Sequence, residues 1–258
     1  MSLPEVMLLQ KIYGEVSIEE FGNVLRKLCE GLRVELTELG LVEGRVAKVK
    51  VVGEDEKAAL SLLEKEIGLA PVTMENVERF STLRGNIVFS GRSKVELFVD
   101  VGLFLPKPIY ATVSLQHLQG QLVDGKKFAL ERVTKLFGLV DGYPLQVRVV
   151  NIEESNLRAE MTEGQLELYS SWIASRTDRL IVLGVLKKNL KTVVRKAGLL
   201  RDVLTIESLG MAEHVLVCKL GTDAAGLVPK IGRRLPKANL TCFSPRQILE
   251  LVEGRWET

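Results

Sequence analysis

Apolar residues follow two periods along this chain: a spacing of three to four near both ends, and strict alternation in the middle. At the front, Met7 to Tyr13 reads as an apolar strand ended by Gly14. Ser17 then opens S-x-x-E with Glu20, a capping box ahead of Ile18, Phe21, Val24, Leu25, Leu28 and Leu32 on one helix face. Strands follow over Arg33–Leu39 and Arg45–Val52, joined by a turn containing Gly40 and Gly44. After Gly53, Ala58, Ala59, Leu62, Leu63 and Ile67 stripe a second helix closed by Gly68. A short strand over Pro71–Met74 would complete β-α-β-β-α-β, the split βαβ pattern.

The rear of the chain repeats that order. Strand Arg179–Val185 leads into helix Leu186–Ala197, strands Val203–Leu209 and His214–Leu220, a helix from Thr222, and strand Asn239–Phe243. Landmarks recur in register: Gly14 with Gly184, V-L-R-K at 24–27 with V-V-R-K at 193–196, and Leu39-Gly40 with Leu209-Gly210. An internal duplication explains them; convergence on the same glycine turns is the alternative. Pro229 falls inside the last helix, predicting a kink or a late start there.

Between the two, strands are predicted at Arg84–Ser90, Val95–Leu105, Ile109–Leu115, Leu145–Val150 and Leu157–Met161. Val95, Leu97, Val99, Val101, Leu103 and Leu105 alternate strictly, so one face of that strand is buried. One helix, Lys126–Phe137 before Gly138, separates the third and fourth strands, which is the order of an OB barrel. A helix at Gln165–Ser175, with Tyr169 and Trp172, is expected to pack between modules. The predicted fold is therefore α+β: an OB-like barrel over 84–161, flanked by split βαβ (ferredoxin-like) modules over 1–83 and 162–258.

Composition narrows the classes. With 46% hydrophobic residues the 258-residue chain can build packed cores, so wholesale disorder is excluded. The longest apolar run, Leu180–Leu186, is far short of the ~20 residues a membrane helix needs, and no secretion signal follows Met1. A soluble, cytoplasmic protein is expected. Cys29, Cys218 and Cys242 are odd in number and far apart, and the histidines are only His117 and His214. Neither a disulfide framework nor a zinc site is predicted, and no cofactor is. Charge is uneven: residues 1–83 carry 10 basic and 15 acidic side chains, and residues 162–258 carry 15 and 10. An acidic front and a basic rear direct the rear towards polyanions.

The run F-V-D-V-G, Phe98 to Gly102, resembles the second barrel strand of ribosomal S-one-type RNA-binding OB domains. That resemblance covers roughly 84–161 and implies an RNA-facing position for Phe98. The whole arrangement, with Phe137-Gly138-Leu139 and G-T-D-A-A-G at 221–226, is also similar to an archaeal protein family with no assigned reaction. It implies an archaeal cytoplasmic setting.

Two candidate surfaces follow. On the barrel, Phe89 and Phe98 would stack bases while Arg84, Arg92, Lys94 and Arg148 hold phosphates; covering a neighbouring module is the alternative role for these phenylalanines. On the rear helix, Lys187, Lys191 and Arg195 recur every four residues beside Lys188, opposite Leu186, Leu190, Val193, Val194 and Ala197. Lys230, Arg233, Arg234 and Lys237 would lie alongside and widen the phosphate-binding surface. An ordinary solvated helix face gives the same run. Gly221 to Gly226 lacks the Lys-Ser/Thr of a P-loop, and Thr222 reads as a helix N-cap. Asp100 has no identifiable acid–base partner. The expected function is non-catalytic binding of RNA or a ribonucleoprotein. A protein–protein adaptor is the alternative, and an enzyme with an unrecognised site is the third class.

Overall fold

A computed structural model describes residues 5–42, 46–153 and 156–254. At the front, β1 (Glu5–Lys11), β3 (Val46–Gly53) and β2 (Val34–Val42) form an antiparallel sheet in the order β1-β3-β2. Helices α1 (Ile18–Leu28) and α2 (Glu56–Glu66) cover one face of it, burying Phe21, Leu25, Ala59 and Leu63 against Leu8, Val49 and Val51. The capping box closes in both directions: the Glu20 amide donates to Ser17 Oγ (3.1 Å), and the Ser17 amide to Glu20 Oε2 (3.2 Å). Gly40 lies within β2 rather than in the turn; Gly44 and Arg45 fall outside the described residues.

The expected closing strand of this module is diverted. Residues 68–70 do pair with β1, the Leu9 amide donating to Gly68 O (3.0 Å) and the Ala70 amide to Met7 O (2.8 Å). Pro71 has no amide hydrogen to continue that ladder, and Val72 turns the chain at φ +66°. β4 (Val72–Thr73) then pairs parallel with a barrel strand instead.

The barrel consists of β5 (Thr82–Val88), β6 (Glu96–Leu105), β7 (Ile109–Ser114), β8 (Pro144–Glu153) and β9 (Asn156–Met161). The ring closes as β6-β5-β8-β9-β7 and back to β6, with only β7 and β9 parallel. Leu97, Val99, Val101 and Leu103 point inside and are buried; Val95 and Leu105, at the ends of the alternation, are exposed. The connection between third and fourth strands carries two helices, not one: α3 (Leu115–Leu122) and α4 (Leu130–Phe137). Ser114 ends β7 and caps α3 by accepting from the His117 amide at 3.2 Å.

α5 (Glu163–Ala174) leads to the rear module: β10 (Arg179–Leu183), α6 (Lys187–Lys196), β11 (Val203–Ser208), β12 (Glu213–Cys218), α7 (Ala224–Gly232) and β13 (Asn239–Phe243). Its antiparallel sheet runs β11-β12-β10-β13, repeating the front order and adding a true fourth strand beside β10. α7 continues through Pro229, and its cap is Asp223, not Thr222: the Ala225 amide donates to Asp223 Oδ1 at 2.9 Å. A short helix, α8 (Pro245–Ile248), and a wide turn over Leu249–Glu253 end the described chain. No helix among the described residues is long and apolar enough to cross a membrane.

Among the contacts between the modules, two joints bury the most specific side chains and backbone. In one, Tyr169 and Trp172 of α5 are buried against Phe137 of the barrel and Phe243 of the rear sheet, with ring centroids 5.1–6.1 Å apart. In the other, the recurring glycines touch back to back. A Cβ on Gly14 would stand 2.5 Å from Gly184 O, and the Glu15 amide donates to that oxygen at 2.7 Å. Beside them Glu213 accepts from Tyr13 Oη (2.7 Å) and Gln10 Nε2 (3.0 Å) of the front, while Arg84 of the barrel donates to Leu209 O (2.9 Å).

Candidate nucleic-acid interface

α6 is amphipathic. Leu190 and Val194 are buried in the rear core, while Lys188, Lys191 and Arg195 are exposed and Lys187 is half-buried. No acidic residue stands in its first turn, where Lys187 and Lys188 oppose the positive end of the helix dipole. That placement costs about 0.3–1 kcal/mol per charge. Local helix stability does not account for it.

Lys187, Lys188, Lys191 and Arg195 line one groove of about 680 Å³, together with Lys27 from α1 of the front module. Val194, Leu200, Val203 and Ile206 form its apolar wall, and among the described residues no carboxylate lines it. Leu200 is 64% exposed. Asn189 Nδ2 donates to Glu20 Oε1 (3.2 Å), holding α1 beside α6. None of the five cations is in an ion pair among the described residues. Near Lys187, His214 is fully buried, and burial together with the Lys187 charge pushes its imidazole down to about 4.

The cations of α7 are arranged differently. Lys230, Arg233 and Arg234 are exposed but form no part of the groove lining. Arg234 reaches the end of α6, donating to Lys196 O (3.5 Å) as well as Lys230 O (3.3 Å). Lys237 lies apart, at a cleft on the barrel, with its amide donating to Glu15 Oε1 (2.8 Å).

On the barrel, Phe98 is half-buried on the outer face of β6, between Val88 and Thr112 of the neighbouring strands. Phe89 is 39% exposed, meets Tyr110 edge-on at 5.2 Å, and carries the Arg92 guanidinium over its ring at 5.2 Å. Arg84 and Arg148 are committed elsewhere, Arg84 to Leu209 O and Arg148 to Glu160 (3.0 Å). A cleft of about 730 Å³ opens between the outer face of β6–β7 and both terminal modules, lined by Phe89, Phe104, Tyr110, Tyr13, Lys11 and Lys237. The front module therefore roofs much of the barrel face. Asp100, in that cleft, forms an ion pair with Lys11 and accepts from the Gly102 amide (3.0 Å).

Sequence reasoning missed Lys27, Phe104 and Tyr110. Lys27 carried a signal, since it ends the V-L-R-K that matches V-V-R-K on α6. Its position against α6, however, depends on packing between modules. Among the described residues no group of three or more His, Cys, Asp or Glu is placed to hold a metal ion.

Residues 177–243, from the start of the rear sheet to its last strand, match the DUF2110 C-terminal domain. No curated protein matches the chain in sequence. Among solved structures, the intact alpha subunit of aIF2 from Pyrococcus abyssi aligns at 8% identity and a TM-score of 0.25, over 65% of this chain and 97% of that one. A likeness at that score carries neither fold nor function across.

Proposed function

We propose that this is a non-catalytic RNA-binding protein, acting on RNA or a ribonucleoprotein in an archaeal cytoplasm, with phosphates held by the basic flank of α6. The observation that carries this reading is the groove itself, lined among the described residues by five cations and no carboxylate. Folding alone does not favour like charges gathered around one cavity, whereas a polyanion releases counterions on meeting them. Phe98, half-exposed on the barrel, offers a separate stacking position for an unpaired base.

Changing Lys187, Lys191 and Arg195 together to Ala tests the reading. The helix keeps Leu190 and Val194 in the core, so the variant folds. Each lost phosphate contact flattens the dependence of log affinity on log salt by about 0.7–0.9, so the triple variant loses about two to three. Equal slopes in parent and variant would move the contact elsewhere, first to the barrel around Phe98. Absence of RNA binding by the parent across a broad library at low salt leaves the adaptor reading. That second reading draws on β11, an edge strand of the rear sheet, where Leu204 is 63% exposed.

A further inference from the structure

We infer that the groove takes a single-stranded segment of RNA and that both terminal modules grip it, Lys27 of the front module acting with Lys187, Lys191 and Arg195 of α6. The inference rests on the RNA-binding reading and specifies its ligand and its limits. Three features carry it. The cations come from two helices that border one groove, Lys27 from α1 and the others from α6. Double-stranded RNA is recognised mostly across its wide, shallow minor groove and through phosphates spread over a long surface. Cations drawn from two helices around one open groove of about 680 Å³ suit the phosphates of a single short strand better than those of a long duplex face.

The remaining wall is apolar, with Leu200 64% exposed and Ile206 beside it. A duplex offers that wall only sugar and phosphate and leaves it wet, whereas an unpaired strand can turn its bases onto it. Finally, Lys187, Lys191 and Arg195 succeed one another every four residues, a step of about 6 Å along the helix. That step is comparable with the one between neighbouring phosphates of an extended strand. Lys230 and Arg233 lie outside the groove lining, so the segment is held without them.

Fluorescence anisotropy of a labelled short oligouridylate, and of a blunt RNA duplex with the same number of phosphates, tests this across a salt series. The full chain is used throughout, with circular dichroism confirming the fold of each variant. The oligouridylate is expected to bind roughly tenfold tighter than the duplex, or more. Lys27→Ala flattens the single-strand salt slope by about 0.7, as Lys191→Ala does, while the Lys230→Ala, Arg233→Ala double variant leaves it unchanged. Leu200→Ser narrows the preference for the single strand. Equal or tighter binding of the duplex overturns the inference while leaving RNA binding intact, and so does an unaltered slope in Lys27→Ala. Displacement of the oligouridylate by polyglutamate as readily as by unlabelled oligouridylate assigns the groove to acidic protein segments instead. If the parent binds neither RNA, the reading beneath the inference falls with it.

Discussion

Glu213 offers the sharpest test of how the modules are held together. It is 1% exposed, on the barrel-facing side of the rear sheet, and its carboxylate accepts from three groups. Tyr13 Oη and Gln10 Nε2 reach it from the front module, and the Ala212 amide donates to Oε2 at 3.2 Å. Glu213→Ala strands these donors. Tyr13 Oη retains Gly142 O at 3.2 Å, and Gln10 Nε2 retains Lys11 O at 3.0 Å, so their loss is partial. The Ala212 amide keeps no acceptor among the described residues. At about 1–3 kcal/mol for a buried donor left unpaired, plus a small cavity, the expected loss is roughly 2–4 kcal/mol. Urea unfolding at neutral pH measures it as a fall of about 1 M in midpoint at constant m. An unchanged midpoint would show that the knot between modules contributes nothing and would refute the reasoning.

Three further outcomes are expected. Burial raises the Glu213 carboxyl above its ordinary 4.5, so the folded chain holds that proton more tightly than the unfolded one. The stability linked to that proton is present in full below about 4.5 and is lost as pH rises through the folded value; Glu213→Gln abolishes this slope in a stability–pH profile. His214 acts in the opposite sense, with a folded value of about 4 against an ordinary 6.5. Its contribution is present above 6.5 and is lost as pH falls towards 4, and His214→Leu flattens the acid limb of the same profile. Gly14→Ala forces a side chain to φ +66° and onto the backbone of Gly184, whereas Gly31→Ala at φ +92° meets open space. Thermal unfolding should place the first loss at roughly 3 kcal/mol or more and the second at about 1–2 kcal/mol.

Local patterns in the chain determined most of the elements. S-x-x-E at Ser17 meant a helix start because its two hydrogen bonds close within four residues. The alternation through Leu97–Leu103 meant a strand with one buried face because side chains change sides at every residue. The repeated glycine spacing pointed to two similar modules, and the sheets share the order of their first three strands. The basic stripe on α6 was legible for the same reason, since a four-residue period shows one helix face directly.

Only the tertiary structure decided the rest, because it depends on contacts between residues far apart in the chain. The polar run Leu115–Leu122 has too weak an apolar stripe to announce α3; the barrel and the Ser114 cap hold it. Residues 71–74 look like any short strand, and whether they close the front sheet or join the barrel depends on Pro71 and on the β6 edge. Gly14 and Gly184 both read as turns, while their contact with each other appears only when the two modules dock. Lys27 belongs by sequence to an acidic module, yet docking sets it among the cations of α6. Charge counted along a chain records composition, whereas a binding groove is made by charges close in space, and that proximity is created by packing.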